Sequence, residues 1–340
     1  MAPPVERALL VGAPRKGSAD ARDVDEHLDE LARLVDTAGA AVAGRVVQHI
    51  TAPTPDLFIG RGKAEEIGRQ VRDIGASVVV FDEELSPRQG KNLEEALGMR
   101  VMDRTEVILD IFALRARSRE AKMQVELAQL ETDRRMIRAK IGALKKKLAE
   151  VADHRARLRG RTRERDVLRV ALVGYTNAGK SSLLRALTGA EAHVEDRLFA
   201  TLDTASRETV VDGRKVRFTD TVGFIRKLPH DLVASFRATL EEAADADVIV
   251  HVVDVSHPAW DLQAEVVGEV LHGLGPDGTG PRVVMALNKA DRLASNDLAA
   301  HLREAAGRGW EAAATSAVTP GGVRGLRVLL GHGAQPQTGV

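Results

Sequence analysis

The sequence predicts an α/β protein, with two regions of alternating strands and helices joined by a long, basic helical segment. Three observations predict it. Short apolar runs alternate with helical stretches over residues 1–113. From Leu114 to Arg159 that alternation gives way to a sustained 3-4 spacing of apolar residues. A strand-like run, Val167–Val173, then leads into Gly-Tyr-Thr-Asn-Ala-Gly-Lys-Ser at 174–181 and a helical stretch to Leu187. Strands that alternate with helices build largely parallel sheets.

The chain's 340 residues allow two or three domains, and 44 % hydrophobic content fits a folded protein. With no cysteine, disulfides and thiolate metal sites are excluded. No apolar stretch approaches the roughly 20 residues of a membrane span. The first residues, Met-Ala-Pro-Pro-Val-Glu-Arg, lack a signal-peptide core. A cytoplasmic protein is therefore expected. The formal net charge is zero, yet Arg115–Arg165 holds 17 Lys or Arg against 7 Asp or Glu, a local net of +10. Such asymmetry suggests an element that faces a polyanion such as RNA.

In the first region, strands are expected at Ala8–Val11, Ala41–Val47, Val78–Phe81 and Arg100–Met102. Helices are expected near Val24–Asp36, Ala64–Ile74, Pro87–Leu97 and Arg104–Ala113. Ser86-Pro87 is an N-cap followed by proline at the first helical position. Gly60-Arg-Gly-Lys63 superficially suggests a second phosphate loop, but the full spacing is missing, so a turn capping the next helix is expected.

In the middle segment, Met123, Leu127, Leu130, Ile137, Ile141, Leu144, Leu148, Val151 and Leu158 follow heptad spacing, with Arg134 and Arg155 at the remaining seam positions. Packing within a monomer is expected rather than a dimeric coiled coil. Arg159–Arg163 reads as a linker. In the last region, strands are expected at Leu168–Val173, Ser206–Val211, Lys215–Thr219, Asp247–Val253, Arg282–Leu287 and Ala312–Thr315. Asp212-Gly213 is a hairpin turn signal. The expected boundaries are 1–113 for an N-terminal α/β domain and 114–165 for a basic helical subdomain and linker. A nucleotide domain at 166–331 and a disordered tail at 332–340 follow.

Residues 174–181 match a P-loop: a strand, a Gly-containing loop, then a helix. Gly174 and Gly179 let the backbone of Tyr175, Thr176, Asn177 and Ala178 wrap phosphates, at a helix N-terminus that favours anions. Lys180 would bridge the β- and γ-phosphates; the Ser181 hydroxyl, next to Ser182, would ligate Mg²⁺. Asp220-Thr-Val-Gly223 follows a strand, so Asp220 can hold Mg²⁺ through a water and the Gly223 N–H can sense the γ-phosphate.

Asn288-Lys-Ala-Asp291 places a carboxylate where guanine presents two N–H donors and adenine does not. Asn288 and the Lys289 stem would support the base. Ser316-Ala317 would offer a backbone N–H to its carbonyl. Together these pieces specify GTP and GDP with Mg²⁺. Thr201 is the first candidate for the threonine that completes the Mg²⁺ shell when a γ-phosphate is present, and Thr204 the second. Phe224 stands where Ras-like enzymes carry a water-orienting Gln. Asn177 matches the K⁺-binding position of cation-stimulated GTPases, which would give another route to charge stabilisation; loop geometry is the alternative reading. His193, His230 and His251 show no metal-ligand spacing.

This motif order, with Phe199-Ala-Thr-Leu202 and Asp220-Thr-Val-Gly-Phe-Ile-Arg-Lys-Leu-Pro-His230, resembles the HflX-type GTPases. Phe58-Ile-Gly-Arg-Gly-Lys63, Asp82–Pro87, Asp103-Arg-Thr105, Ile108–Phe112, Gln124–Leu130 and Glu131–Arg135 extend the resemblance to residues 7–320. It implies a G domain of the translation-factor-related class behind an α/β domain and a helical subdomain. It also implies a ribosome partner, mainly the large subunit and its rRNA, and a GTP-dependent role in splitting or rescuing stalled ribosomes under stress. Hydrolysis would be slow alone and stimulated by ribosomes. Large-subunit assembly, or a GTP-gated RNA-binding switch with negligible turnover, are the alternatives. The chain departs from the family where a Gly-rich loop usually joins two helices of the subdomain. Leu130 runs straight into Glu131, which predicts one continuous helix, about 60 Å long over roughly 40 residues. The additional C-terminal domain of some relatives is expected to be absent, and the last helix is expected to be broken at Gly322 and Gly325.

Overall fold

Ala8, Leu9, Leu10 and Val11 are fully buried and make β1 (Arg7–Gly12) an inner strand of a four-stranded sheet. The computed structural model describes residues 5–116, 118–132, 167–189, 198–199, 205–226, 243–272 and 281–332. These fall into two compact units; Met1–Leu114 forms most of the first, and the second contains everything from residue 138 onward.

In the first unit, β2 (Ala41–Val47), β1, β3 (Val78–Phe81) and β4 (Arg100–Asp103) lie in that order, all parallel. Both inner strands are apolar throughout their buried length, as expected where helices cover both faces. After the short α1 (Ala19–Arg22), α2 (Val24–Ala38) buries Leu28, Leu31, Leu34 and Val35. α3 (Arg61–Ile74) buries Ile67 and Val71, and α4 (Pro87–Leu97) buries Leu93 and Leu97. Ser86 and Gln89 form a reciprocal capping box at the start of α4. Gly60 caps α3, and Lys63 pairs with Glu66 at 2.7 Å, so Gly60–Lys63 serves as a helix start.

α5 (Arg104–Arg115) ends the alternation. Arg104, 3 % exposed, pairs in the core with Asp82 at 2.7 Å and with Glu30. A new helix, α6 (Arg119–Thr132), starts where Ser118 Oγ accepts from the Ala121 N–H at 2.9 Å. The helix of the middle segment therefore starts at Arg119, where Ser118 satisfies an orphan amide of the first turn. α6 is helical through Leu130-Glu131 to Thr132. The rest of the expected long helix, the Arg159–Arg163 linker and the tail beyond His332 lie outside the described residues.

The second unit carries a six-stranded sheet in the order β10-β9-β8-β5-β7-β6. Its strands are β5 (Val167–Gly174), β6 (Ala205–Val211), β7 (Arg214–Asp220), β8 (Val248–Asp254), β9 (Arg282–Asn288) and β10 (Ala312–Ala314). All pairings are parallel except the β6–β7 hairpin. Asp212 and Gly213 turn that hairpin with φ of 49° and 81°, the positive values that a two-residue turn needs to match strand twist. The helices described after β5 are α7 (Lys180–Thr188), α8 (Trp260–His272), α9 (Ser295–Gly307) and α10 (Arg324–His332). Trp260, Ala264, Met285, Leu287 and Ala305 form a core cluster between the sheet and helices α8 and α9. Gly325 lies inside α10, so the last helix is not broken there; Gly322 sits in the turn before it. Among the described residues, no helix is long and apolar enough to cross a membrane.

Candidate active site

β5 is buried from Val170 to Gly174 and delivers the P-loop at its carboxyl end. Gly174 has no alternative residue, because a Cβ there would collide with the Val252 carbonyl of neighbouring β8. The loop bends through Asn177 and Gly179, at φ of 61° and 92°, before α7 begins. Asparagine tolerates the left-handed region better than most residues, which suits the exposed Asn177 to this bend. A Cβ on Gly179 would strike the Asn288 side-chain amide.

The loop after β7 is stitched to the P-loop by backbone bonds. Thr176 N–H donates to Phe224 O at 2.6 Å, and Phe224 N–H donates to Gly174 O at 3.1 Å. The Tyr175 hydroxyl accepts from the Arg226 N–H at 2.6 Å. Thr221 Oγ1 donates to Leu172 O at 2.8 Å and anchors the start of this loop. A Cβ on Gly223 would meet Thr176 Cα at 2.8 Å, Thr176 Cγ2 at 2.9 Å and Lys180 Nζ at 3.0 Å. Only glycine fits where these three groups converge. Phe224 is buried, 6 % exposed, and its ring serves the core.

Lys180 Nζ donates to Gly174 O at 3.1 Å and Tyr175 O at 2.9 Å. Burial lowers its pKa to about 8, against the opposing pull of Asp220. A cation held among carbonyls in the dry interior is poised for a stronger anionic partner. Ser181 Oγ donates to Asp220 Oδ2 at 2.6 Å, and Ser182 lies half-buried one residue on.

Asn288 ties two segments to the P-loop. It is 1 % exposed; its Nδ2 donates to Ala178 O at 2.8 Å, and its Oδ1 accepts from Thr315 Oγ1 at 3.2 Å. Lys289, at φ 60°, pairs with Asp254 at 2.7 Å, at the end of β8. Asp291 is exposed on the following 3₁₀ turn. The Ala290 N–H donates to Thr315 O at 3.1 Å and holds that turn beside 315–317. Ser316 N–H donates to Gly322 O at 2.9 Å, while Ser316 Oγ accepts from the Val318 and Thr319 amides. The Ser316 amide is therefore spent on its own turn.

Gly174–Ser182, Asp220, Gly223, Asn288, Lys289 and the 315–317 turn are thus brought together around the carboxyl ends of β5, β7 and β9. Thr201, Thr204, His193 and His230 lie outside the described residues. His251 is buried in β8, in register with Val173. Burial, with a smaller contribution from Lys180, lowers its pKa to about 4, so it is neutral. Asp254 went unnoticed in the sequence; its position at the end of the strand beside β9 was the available signal. Among the described residues, no group of three or more His, Asp or Glu could hold a metal alone. The Ser181 hydroxyl beside the Asp220 carboxylate is a hard-oxygen pair that fits Mg²⁺.

A family model described as GTP-binding GTPase N-terminal matches residues 25–113, and one described as 50S ribosome-binding GTPase matches residues 169–289. The GTPase HflX of Caldanaerobacter subterraneus is 46 % identical over 320 residues, covering 85 % of this chain and 73 % of that protein. The chain belongs to the HflX GTPase family. The GTPase HflX of Escherichia coli K12 is 42 % identical over 300 residues, covering 79 % of this chain and 70 % of that protein. The crystal structure of SsGBP with GDP matches with a TM-score of 0.53 and 26 % identity, over 96 % of this chain and 97 % of that one. As an HflX GTPase, the protein is a P-loop GTP hydrolase that binds GTP and GDP, with Mg²⁺ as the metal general to such enzymes.

Proposed function

We propose that this HflX GTPase works on ribosomes in the cytoplasm, engaging mainly the large subunit and its rRNA, and splits or rescues stalled ribosomes under stress. The observation that carries the proposal is the 169–289 match to a family of 50S ribosome-binding GTPases, which runs from the P-loop strand to Lys289. The +10 segment, Arg115–Arg165, supports it as an arm for rRNA. The working parts are an N-terminal α/β domain at 1–113, the basic helical subdomain at 114–165 and the G domain at 166–331.

Within the G domain, Lys180 exchanges its two carbonyl partners for phosphate oxygens. The Gly223 N–H reads the γ-phosphate. Ser181 and Thr201, with Asp220 through a water, would hold Mg²⁺, which when bound would neutralise charge on the β- and γ-phosphates. Asp291 accepts from guanine N1 and N2, Asn288 and the Lys289 stem support the base, and Ala317 supplies the amide for its carbonyl. Buried Phe224 cannot orient water, so hydrolysis is slow alone and rises when ribosomes bind. K⁺ at Asn177 would add positive charge beside the phosphates. The burial of Phe224 also favours a second reading, a GTP-gated RNA switch of negligible turnover.

Sucrose-gradient cosedimentation with a non-hydrolysable GTP analogue tests ribosome binding. Multiple-turnover GTPase assays with and without large subunits, in K⁺ and in Na⁺, test the rest. Binding with stimulated turnover is expected. Binding without turnover selects the switch, and an absence of both overturns the ribosomal role. Equal stimulation in Na⁺ and K⁺ removes the role given to Asn177.

A further inference from the structure

We propose that the Thr176 hydroxyl hydrogen-bonds to the terminal phosphoryl group of GTP, the group GDP lacks, and stabilises it during hydrolysis. The inference rests on the nucleotide assignment above and adds a catalytic side chain to it. Its starting point is an unpartnered polar atom. Thr176 is 7 % exposed, and its Oγ1 makes no hydrogen bond among the described residues. A buried hydroxyl without a partner is costly, and the fold gains nothing from it unless a ligand completes it.

The surroundings say which ligand. Thr176 Cα and Cγ2 and Lys180 Nζ all lie within 3.0 Å of where a Cβ on Gly223 would sit. Thr176 therefore stands against both the P-loop lysine and the glycine that follows Asp220. Its backbone N–H is committed to Phe224 O at 2.6 Å. Thr176 therefore has only its side chain with which to address a phosphate, whereas a typical P-loop residue offers its amide. A 120° step about χ1 carries Oγ1 to the position now held by Cγ2, which moves to that of Hβ, so the hydroxyl can face Gly223 without moving the backbone. The ring of Phe224 is buried, so the residue after Gly223 brings no polar side chain to that spot.

In the reaction, water oxygen bonds to the γ-phosphorus as its bond to the β–γ bridging oxygen breaks. The products are GDP and inorganic phosphate, with the protons of water passing to phosphate and solvent. Thr176 keeps its own proton and donates a hydrogen bond as charge shifts on the phosphoryl oxygens. Donors fixed in advance inside a dry site are the ones that lower such barriers.

Thr176→Val removes the hydroxyl at nearly constant shape, and Thr176→Ser keeps it. Two quantities are measured: GDP affinity by calorimetry, and single-turnover hydrolysis at saturating GTP. The valine variant is expected to bind GDP within about twofold of the parent while hydrolysis falls at least about tenfold. The serine variant is expected to restore the rate to within about threefold. Unchanged hydrolysis in the valine variant overturns the proposal. So does equal loss of GDP and GTP affinity, which marks a structural role, and so does a failure of serine to rescue. If the valine variant does not fold, Thr176→Ala against Thr176→Ser makes the same comparison. A parent protein that binds no GDP instead overturns the nucleotide assignment itself, so the two failures are distinguishable.

Discussion

The Ser181 hydroxyl donates to the Asp220 carboxylate at 2.6 Å, joining the first turn of α7 to the end of β7. The two residues are far apart in sequence and come from elements that do not pair with each other. β5 lies between β8 and β7 in the sheet, so the helix that follows it starts beside the end of β7. The contact preassembles two oxygen donors where Mg²⁺ is expected. Ser181→Ala is predicted to raise the Mg²⁺ concentration needed for half-maximal GTP hydrolysis by about 10–100-fold. A Mg²⁺ titration of initial rates checks this, and an unshifted midpoint would remove Ser181 and Asp220 from the metal site.

Asn288 links Ala178 and Thr315 from a position that is almost wholly buried. Asn288→Ala leaves Ala178 O and the Thr315 hydroxyl without it, at a cost of about 1–3 kcal/mol each if nothing replaces it. A lower thermal midpoint is expected, partly recovered by saturating GDP through mass action. Asn288→Asp keeps the acceptor but loses the donor, and is expected to lie between. A parent-like midpoint for Asn288→Ala would show that the link carries no stability.

Strand positions were readable because periodicity reports burial. Val78–Phe81 and Ala41–Val47 were placed to the residue, and the other strands to within one residue at each end. The P-loop and its companion segments were readable because their chemistry depends on local spacing. Other features depend on partners distant in sequence. Arg104 looks like an ordinary first-turn residue, yet its carboxylate partners are 22 and 74 residues away. The role of Asn288 as a brace needs Ala178, 110 residues away. The orphan hydroxyl of Thr176 becomes visible only once Gly223 is placed against it. The restart of helix at Ser118 was legible as an N-cap, but the heptad pattern beyond it hid the signal.

Asp291 is exposed on its turn, with its carboxylate unburied before any base arrives. Guanine offers it N1–H and N2–H, whereas hypoxanthine offers only N1–H. The parent protein is predicted to bind GDP about tenfold or more tighter than IDP. Asp291→Ala should weaken GDP strongly and bring the two affinities within about threefold of each other. Competition binding with both nucleotides provides the measurement. Persistent discrimination in the variant would place base recognition elsewhere.

Neutral His251 makes the second unit acid-sensitive. Its folded-state pKa, about 4, lies below the ordinary 6.5, chiefly through burial. Between those values the unfolded chain binds a proton that the folded chain does not, so stability falls as the pH drops from about 6.5 to about 4. The contribution is on the order of 2–3 kcal/mol across the window. His251→Leu should lose less stability than the parent between pH 7 and pH 5 in urea unfolding. Equal losses would mean that His251 is not the group responsible.

Lys180 should couple nucleotide binding to proton uptake. Burial holds its pKa near 8 while its partners are the carbonyls of Gly174 and Tyr175. Phosphate oxygens favour the charged ammonium and raise that pKa on binding. Below about pH 8 the lysine is charged in both states and binding takes up no proton there. Above about pH 8 the free protein must gain one, so GDP affinity falls as the pH rises, approaching tenfold per unit. In the free protein the sign for folding is opposite: a depressed lysine pKa means that stability rises with pH between about 8 and the ordinary 10.5. Calorimetry at pH 9 in two buffers of different ionisation enthalpy reads the uptake directly, and uptake approaching one proton is expected. An affinity flat from pH 7.5 to 9.5, with no uptake, would show that the phosphates do not meet Lys180.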